Sequence, residues 1–315
     1  MEKKYCLCCG KEINEGLWHK SCIKRFFGTS SLPIIEVNDE DLKTLAIAQL
    51  QNKTTVQGVQ EKLSLHLDLD SKRRPRLTIV GFPTGYILKP QASSHKQLPE
   101  FEHTAMLLAE LCGISVVPHA LIEINDKKEL AYITKRVDRN GGEKIHMEDF
   151  AQASGTLTDN KYRSSYEECM ELIDKYSDNP YLDKINLFRC LYFCYVIGNS
   201  DVHLKNFSFI MNDEGKLSLC NFYDLLPTKV ILPSDQDDLG MRFNGKKNNL
   251  KRRDFDEFAK RVGIDEKAKE NVINLIDGKV KEMDEVISNS SLNQNAKSQW
   301  IKLISRNLKR FNLNS

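Results

Sequence analysis

Between about residues 60 and 80, apolar residues fall at every second position, which is the spacing of β-strands with one buried face. Leu63, Leu65, Leu67 and Leu69 show this alternation most clearly. Pro90 ends a later apolar run because proline has no backbone N–H to donate to a neighbouring strand. The predicted strands are Leu63–Leu69, Leu77–Ile79, Tyr86–Lys89, Ala120–Ile124 and Ala131–Thr134.

Beyond residue 140 the apolar spacing becomes that of helices, about 3.6 residues per turn. One earlier helix is predicted from about Pro99 to Leu111, with Gly113 as its C-cap. A short strand is expected at Phe207–Met211, followed by a hairpin turn at Asp213–Gly215. The predicted helices of this second part are Tyr166–Tyr176, Asp183–Ile197, Asp254–Val262, Ala268–Ile287 and Ala296–Leu313.

These patterns predict an α/β (α+β) fold with a strand-rich lobe before a helix-rich lobe. Residues 1–50 are expected to form a Cys/His segment and a linker helix near Leu42–Leu50. Residues 51–140 form the strand-rich lobe, and residues 141–315 the helical lobe. A chain of 315 residues suits two lobes that share a cleft.

Composition excludes several classes of protein. The chain is 40% hydrophobic and 29% charged, which is typical of a globular protein. Its net charge of +2 gives no electrostatic reason to expect a nucleic-acid binder. No apolar stretch is long enough to span a bilayer, and Met1–Lys4 lacks the apolar region of a secretory signal. We therefore expect a cytoplasmic protein with no membrane partner.

The clearest chemical pattern is the stretch IGNSDVHLKNF from Ile197 to Phe207, which follows an apolar helix. Asp201 is followed five residues later by Asn206, and Asp224 comes after the next hairpin. Phosphoryl transfer to a hydroxyl needs one carboxylate to accept the proton, and an amide oxygen and a second carboxylate to hold Mg²⁺. The alternative is a solvated polar loop, which accounts for Asp201 alone more readily than for the three residues in this order.

Two upstream features fit the same chemistry. The stretch Thr54–Lys62 lies between a helix and a strand, where backbone N–H groups around Gly58 could approach a phosphate. An ordinary turn is the alternative. Lys89 ends an apolar strand, and Glu102 on the following helix could pair with it, as in protein kinases. The alternative is a lysine whose ammonium group reaches solvent from the strand end.

The nine cysteines are expected to be thiols or metal ligands, since nothing indicates secretion. Cys6, Cys9, His19 and Cys22 form two short ligand pairs that could meet at a tetrahedral structural Zn²⁺. Reduced cysteines packed in a core are the alternative, and Cys8 is left over in either case. The remaining cysteines are expected to be core thiols: Cys112, Cys169, Cys190, Cys194 and Cys220.

Seven stretches, read together, resemble the HipA-type kinases and follow that family's order. They are TVQGVQEKLSL, YILKP, EFEHTAMLLAELCGI, ITKRVDR, IHMEDFAQASG, IGNSDVHLKNFSFI and FYDLLPT. GMRFNGKKNNL also fits. The resemblance covers roughly residues 50 to 260, and the block around Asp201 is its most specific part.

The resemblance implies roles for individual residues. Asp201 would be the catalytic base, and Asn206 and Asp224 the Mg²⁺ ligands. Lys89 would contact the α- and β-phosphates of ATP. The residues expected to cover or line the nucleotide are Gln57, Gly58, Val59, Gln60, Glu61, Lys62, the hinge Lys135, Arg136 and Val137, and His203, Lys205 and Tyr223.

The resemblance also implies a fold and a biological setting. The family has a bilobal protein-kinase-like fold, from which we expect an enlarged all-helical C-lobe. Its members are Ser/Thr kinase toxins that phosphorylate proteins such as aminoacyl-tRNA synthetases, and a DNA-binding antitoxin partners them. Only about fifty residues precede the phosphate loop here, as in the short HipT-like form, so a small HipS-like accessory protein is also expected. Contact with DNA would be indirect, through the antitoxin.

One departure from the family pattern concerns self-modification. Members autophosphorylate near the phosphate loop, where this chain has Thr55 in place of the usual serine. Gln57 stands where short forms carry a second serine, and it cannot accept phosphate. Two other hypotheses remain open: a small-molecule kinase of related fold, and a catalytically silent partner in a repressor complex.

Overall fold

The computed structural model describes residues 3–36, 62–69, 74–80, 83–92, 94–125, 127–140 and 142–312. These form two compact units. The first unit is Met1–His103, Val117–Glu143 and Asn289–Ser291, and the second is Thr104–Val116, Lys144–Ser288 and Leu292–Ser315. The predicted linker helix near Leu42–Leu50 lies outside the described residues. The predicted three-segment division of the chain stays a prediction.

A six-stranded sheet dominates the first unit. Its strands are β3 (Ile34–Glu36), β4 (Leu63–Asp68), β5 (Arg76–Val80), β6 (Tyr86–Lys89), β7 (His119–Ile124) and β8 (Glu129–Lys135). Their order is β3-β5-β4-β6-β8-β7. Only the β3–β5 pair is parallel among these described pairings. The sequence patterns therefore predicted β4 to β8, and Leu63, Leu65 and Leu77 of the alternating pattern are buried. They missed β3, and Leu69, predicted as the end of β4, lies outside the strand and is exposed.

The Cys/His segment packs on this sheet. A hairpin of β1 (Lys4–Tyr5) and β2 (Glu12–Ile13) precedes helix α1 (Lys20–Phe27). Trp18, Phe26 and Phe27 from this segment share one hydrophobic core with sheet residues such as Tyr86. Ring centroids of Phe26 and Phe27 lie 5.9 and 5.4 Å from that of Tyr86. The segment thus obtains its buried contacts from the sheet.

Helix α2 (Leu98–Leu111) follows β6 along the chain. It ends as predicted, since Gly113 adopts a left-handed φ of 69° that accommodates glycine without strain. A short hairpin pairs β9 (Arg139–Asn140) with β10 (Glu143–Lys144).

The second unit is mostly helical. Its helices are α3 (Phe150–Ala153), α4 (Tyr166–Tyr176), α5 (Pro180–Ile197), α6 (Thr228–Ile231), α7 (Arg252–Arg261), α8 (Glu266–Asp277), α9 (Val280–Asn289) and α10 (Gln294–Asn312). It also contains an antiparallel sheet of β11 (Met147–Asp149), β12 (Ser208–Met211) and β13 (Leu217–Leu219). The expectation of an all-helical C-lobe was therefore wrong in this detail, although the short strand near Phe207–Met211 was predicted.

Helix α5 is the core of the second unit. Pro180 occupies its first turn, where a missing N–H costs nothing. Its second half is apolar on all sides and buried, as expected for a helix surrounded by others, and it contacts α4, α8 and α10. Trp300 on α10 donates a 3.0 Å hydrogen bond to the carbonyl of Ile197, one of the last carbonyls of α5. The end of this helix is therefore fixed firmly in the core.

One stretch that was predicted to be a single helix forms two helices in the structure. The stretch Ala268–Ile287 divides into α8 and α9 at Gly278 and Lys279. The Gly278 N–H still bonds to Asn274, but the Lys279 N–H bonds to Ile276, three residues back, which tightens the turn and ends α8. Glycine is a poor helix former, so the break falls there. In the described part of the chain, no helix combines the length and apolar character that crossing a bilayer requires.

Candidate active site

The loop that carries Asp201 starts where α5 ends. Gly198 takes a left-handed φ of 80°, and a Cβ at this position would lie 2.5 Å from Leu303 Cδ2. A residue with a Cβ would be strained at this left-handed φ and would have to displace the Leu303 side chain. The chain therefore leaves the core at a fixed point and direction, and the next residues are presented from a rigid base.

Three side chains anchor the loop beyond Gly198. Ser200 donates its backbone N–H to Thr228 Oγ1 at 2.7 Å, and its hydroxyl donates to Asp235 Oδ2 at 2.5 Å. Gly240 approaches from the other side, where a Cβ would lie 2.5 Å from the Val202 carbonyl oxygen. The backbone of residues 200–202 is thus held between two packed segments.

Asp201 is exposed as a residue, although surrounding atoms remove part of the water around its carboxylate. Tyr162 donates its phenolic hydroxyl to Asp201 Oδ1. Loss of hydration raises the pKa of Asp201; repulsion from Asp224 and Asp235 adds to the increase, and the Tyr162 hydrogen bond opposes it. Burial, with the neighbouring Asp201, raises the pKa of Tyr162, so the phenol keeps its proton and remains a donor. Asp201 can therefore accept a hydrogen bond from a hydroxyl at this position.

Asn206 and Asp224 are brought together by the short 3₁₀ turn Leu204–Asn206. Asn206 Nδ2 donates to Asp224 Oδ2 at 3.3 Å, while the His203 N–H donates to Asn206 Oδ1 at 2.9 Å. An amide oxygen has two lone pairs, so Asn206 Oδ1 keeps acceptor capacity. Asp224 adopts a left-handed φ of 62°, which is uncommon outside glycine and often marks a functional position. These are hard oxygen donors of the kind that Mg²⁺ prefers.

His203 is neutral at physiological pH. Burial lowers its pKa to about 4, and the charge of Lys161 contributes. Its Nδ1 accepts the Lys205 N–H at 3.2 Å, so the ring proton resides on Nε2. His203 therefore shapes the loop as the cap of the 3₁₀ turn, and it does not titrate near neutral pH.

Lys205 and Tyr223 lie beside this turn. The Lys205 ammonium is 3.2 Å from Asp149 Oδ2, and Asp149 also caps α3. Tyr223 donates its hydroxyl to the Lys205 carbonyl at 3.1 Å and contacts Ser208 Oγ at 2.6 Å. Lys205 is partly exposed, so its charge remains close to the surface of the site.

In the first unit, Lys89 and Glu102 form a buried ion pair. Lys89 Nζ lies 2.6 Å from Glu102 Oε1, and the two side chains are only 6% and 1% exposed. The ammonium also lies over the Tyr132 ring, 5.3 Å from its centroid. A buried charge without such a partner would be costly, so pairing with Glu102 fixes Lys89 at the end of β6. The alternative of a lysine that reaches solvent was wrong.

The other candidate nucleotide residues are only partly described. Lys135 ends β8 and is exposed, and the Arg136 N–H donates to the Gly85 carbonyl at 2.8 Å. The Arg136 guanidinium holds Asp138 through two bonds of 2.8 and 2.7 Å, which stiffens the turn containing Val137. Lys62 is exposed just before β4. Gln57, Gly58, Val59, Gln60, Glu61 and Thr55 lie outside the described residues.

The predicted Cys/His ligands also come together. One ligand atom from each of Cys6, Cys9, His19 and Cys22 lies within 4.8 Å of the others. The five cysteines expected to be core thiols are all buried.

Sequence reasoning missed Tyr162, Asp235 and Gly240. Each lies at least 34 residues from Asp201 along the chain, as their numbers show, so their contacts depend on the tertiary fold. The run DNKYR around Tyr162 carries no motif of its own. Gly240 is the first residue of the stretch GMRFNGKKNNL, and its residue type is the one signal in the sequence for a close backbone approach at this point.

Residues 54–286 match the family described as "HipA-like C-terminal domain". A relative from Sinorhizobium fredii, named "Putative kinase Y4mE", is 31% identical over 252 residues, covering 76% of this chain and 58% of the relative. A Haemophilus influenzae protein named "Putative kinase" is 27% identical over 242 residues, covering 69% of each chain. The chain thus spans a little over half the length of the Sinorhizobium relative.

Two solved structures share the fold. HipA from Shewanella oneidensis, solved in a complex of a toxin–antitoxin system with HipB and operator DNA, superposes with a TM-score of 0.69. It is 20% identical, with 87% of this chain and 71% of HipA covered. The Helicobacter pylori proinflammatory kinase CtkA gives a TM-score of 0.55 at 13% identity, with 78% and 93% covered. The fold is therefore mixed α/β and kinase-like, as predicted.

Proposed function

This chain belongs to the HipA-like C-terminal domain family, and on that premise we propose that it is an ATP- and Mg²⁺-dependent Ser/Thr protein kinase. The observation that carries the proposal is the arrangement of Asp201, Asn206 and Asp224. An exposed carboxylate already accepts a hydroxyl hydrogen bond, and a bonded Asn–Asp pair lies on the adjoining turn. These are the groups that phosphoryl transfer to a hydroxyl requires.

Asp201 is the proposed catalytic base. The hydroxyl of the substrate would take the place of the Tyr162 phenol at Oδ1 and pass its proton to the carboxylate. The hydroxyl oxygen then bonds to the γ-phosphorus of ATP while the bond to the leaving ADP oxygen breaks. Because Ser200 and Gly240 fix the neighbouring backbone, Asp201 needs little reorganisation to meet the substrate.

Asn206 and Asp224 are the proposed ligands of Mg²⁺, which would neutralise the charge that develops on the phosphates. Lys89, fixed by Glu102, is the proposed contact of the α- and β-phosphates. The stretch Gln57–Lys62 would cover ATP and Lys135–Val137 would meet adenine. His203, Lys205 and Tyr223 would line the nucleotide site from the adjoining turn.

We also propose that the chain acts as a toxin. The Shewanella HipA with which it shares a fold is part of a toxin–antitoxin complex with HipB and operator DNA. By analogy, a DNA-binding antitoxin would partner this chain in the cytoplasm, together with a small HipS-like protein. Its substrate would be a protein of translation, such as an aminoacyl-tRNA synthetase. Thr55 is the proposed site of autophosphorylation.

The test of catalysis compares three proteins incubated with Mg²⁺-ATP and a serine- and threonine-containing protein substrate. Wild type should transfer phosphate, measured by intact mass and by ADP release. Asp201→Asn should lose transfer but keep its melting temperature. Asp213→Asn is the matched control, since Asp213 is an exposed aspartate of the nearby hairpin turn. Equal activity in the Asp201 and Asp213 variants would contradict the proposal.

The toxin assignment has its own test. Expression of wild type in bacteria should stop growth, and expression of Asp201→Asn should not. Peptide mapping of the wild-type chain should locate phosphate at Thr55. The Thr55→Val variant should lose this phosphorylated peptide and should still transfer phosphate to other proteins. Growth arrest by Asp201→Asn as well as by wild type would indicate that toxicity does not depend on catalysis.

A further inference from the structure

The N-terminal segment brings four metal-ligating side chains to one point. Cys6 and Cys9 lie on the turn that follows β1, and His19 and Cys22 on the first turn of α1. Within the part of the chain that the structure describes, no other set of three or more Cys, His, Asp and Glu side chains converges in this way. We propose that these residues bind one structural Zn²⁺, which holds the segment against the six-stranded sheet.

The distances between ligand atoms suit a tetrahedral ion. Cys9 Sγ lies 3.4 Å from His19 Nδ1, and Cys22 Sγ lies 4.0 Å from the same nitrogen. In a tetrahedral site with Zn–S bonds of about 2.3 Å and Zn–N bonds of about 2.0 Å, ligand atoms are roughly 3.5 to 3.8 Å apart. The side chains therefore need only small movements to close around an ion.

Outer hydrogen bonds point the correct atoms inward. His19 Nε2 lies 3.2 Å from the Glu12 carbonyl, so it carries the proton and donates, and Nδ1 presents its lone pair to the three sulfurs. The His19 backbone N–H is directed at Cys6 Sγ at 3.4 Å, a contact that favours a thiolate. Gly10, with a left-handed φ of 66°, lets the chain turn directly after Cys9. Each is a feature that metal sites use to orient their ligands.

Ordinary packing of reduced thiols explains this group less well. Cys9 and His19 are only partly buried, so they contribute little apolar burial where they stand. Cys6, Cys8 and Cys22 all belong to the hydrophobic core, but Cys8 is not one of the converging ligands. The turn that carries Cys6 and Cys9 therefore also contains a cysteine outside the ligand set, which gives a matched control.

The ion would stabilise a segment that has no core of its own. Trp18 Nε1 donates to the Leu121 carbonyl at 3.1 Å, and the Leu121 N–H donates to the Leu7 carbonyl at 2.7 Å. The Tyr86 hydroxyl donates to the Phe26 carbonyl at 3.3 Å. These bonds attach the segment to β6 and β7. Its own elements are a hairpin of two two-residue strands and one eight-residue helix. A closed zinc site commonly supplies the folding free energy that such a small unit lacks.

The first experiment measures metal content in the full chain, purified under reducing conditions. Wild type and Cys8→Ala should each contain one zinc per chain, and Cys9→Ala and Cys22→Ala should contain less than a tenth of that. Replacement by Co²⁺ should give the intense visible bands of a tetrahedral site and a thiolate-to-cobalt band. The proposal would be overturned if wild type, purified free of zinc and then given Co²⁺, showed no tetrahedral cobalt spectrum. It would also be overturned if all four proteins contained the same amount of zinc.

A second measurement uses wild type alone, in case the cysteine variants fail to fold. A thiol-alkylating reagent should label Cys9 at least tenfold faster after a chelator removes the metal, and added zinc should restore protection. Metal removal should also lower the melting temperature and increase hydrogen exchange in residues 6–27. Unchanged labelling and melting would overturn the structural role. Asp201→Asn should keep its zinc, which separates this proposal from the proposed catalysis.

Discussion

The candidate catalytic groups of the two units are held in opposite ways. In the first unit, Lys89 and Glu102 are buried together as an ion pair. In the second unit, Asp201 is exposed, and Asp224 keeps an uncommon backbone conformation beside Asn206. The difference indicates that substitutions at the buried pair should affect stability as well as activity. Substitutions at the exposed loop should affect activity alone.

The sharpest test of this difference is Asp224→Asn. Asparagine has nearly the same shape and tolerates a left-handed φ, so the melting temperature should stay unchanged. Loss of the charge should weaken Mg²⁺ binding and reduce phosphoryl transfer at least about a hundredfold, since charge stabilisation by the metal contributes several kcal/mol. A Mg²⁺ titration of activity would measure both effects. A large fall in melting temperature would mean that this loop is a structural element.

Lys89→Met should affect both properties. It leaves the Glu102 carboxylate buried without its cation, which typically costs about 3–5 kcal/mol of unfolding free energy. The double variant Lys89→Met with Glu102→Leu should recover most of that free energy, because an apolar pair replaces an ionic one, while activity stays lost. Denaturant unfolding and an ATP assay measure the two separately, with Lys127→Met as an exposed-lysine control. Recovery of activity in the double variant would exclude a phosphate contact by Lys89.

Gly240→Ala tests whether the exposed loop depends on a fixed backbone. The new Cβ would come 2.5 Å from the Val202 carbonyl and 2.8 Å from that of Ser200, so residues 200–202 must move. A displacement of about 1 Å can cost up to a hundredfold in rate, so we expect kcat to fall about ten- to a hundredfold. Gly85→Ala is the control, because a Cβ there meets open space. Equal kcat in the two variants would show that the loop adapts.

The smallest expected effect is that of Tyr162→Phe. The Tyr162 hydrogen bond lowers the pKa of Asp201, so its loss should raise that pKa. A base must be deprotonated to act, and the acidic limb of the kcat/KM profile should therefore move to higher pH. Tyr181→Phe removes the same kind of phenol–carboxylate bond, with Asp265, at an exposed position and should leave the profile in place. An unchanged pH profile in Tyr162→Phe would show that Tyr162 does not influence the pKa of the catalytic base.

What the sequence could predict depended on the range of the interactions. Strands such as Tyr86–Lys89 and the left-handed end of α2 at Gly113 follow from local patterns, and the structure contains both. Strand β11 was missed because Met147–Asp149 is too short to show a period and is stabilised by pairing with Ser208–Met211. The break at Gly278 was missed because apolar spacing continues across it.

The candidate site follows the same rule. Asp201, Asn206 and Asp224 were found because their residue types and spacing carry the chemistry. Tyr162 was not found, since a phenol acquires its significance only when the fold brings it to Asp201. The hydrogen-bond partner of Lys89 could be proposed from the sequence because α2 directly follows β6, so the partner lies only 13 residues away.

The bonds between the N-terminal segment and Leu121 have a consequence for solubility. Strand β7 is an edge of the six-stranded sheet, and both backbone groups of Leu121 are occupied by Leu7 and Trp18. An uncovered edge strand can pair with the edge of another molecule and begin aggregation. The segment therefore serves as a cover for this edge. Shortened versions of the chain that begin after Phe27 would expose a strand ready to recruit a second copy, so expression and crystallisation should retain the segment.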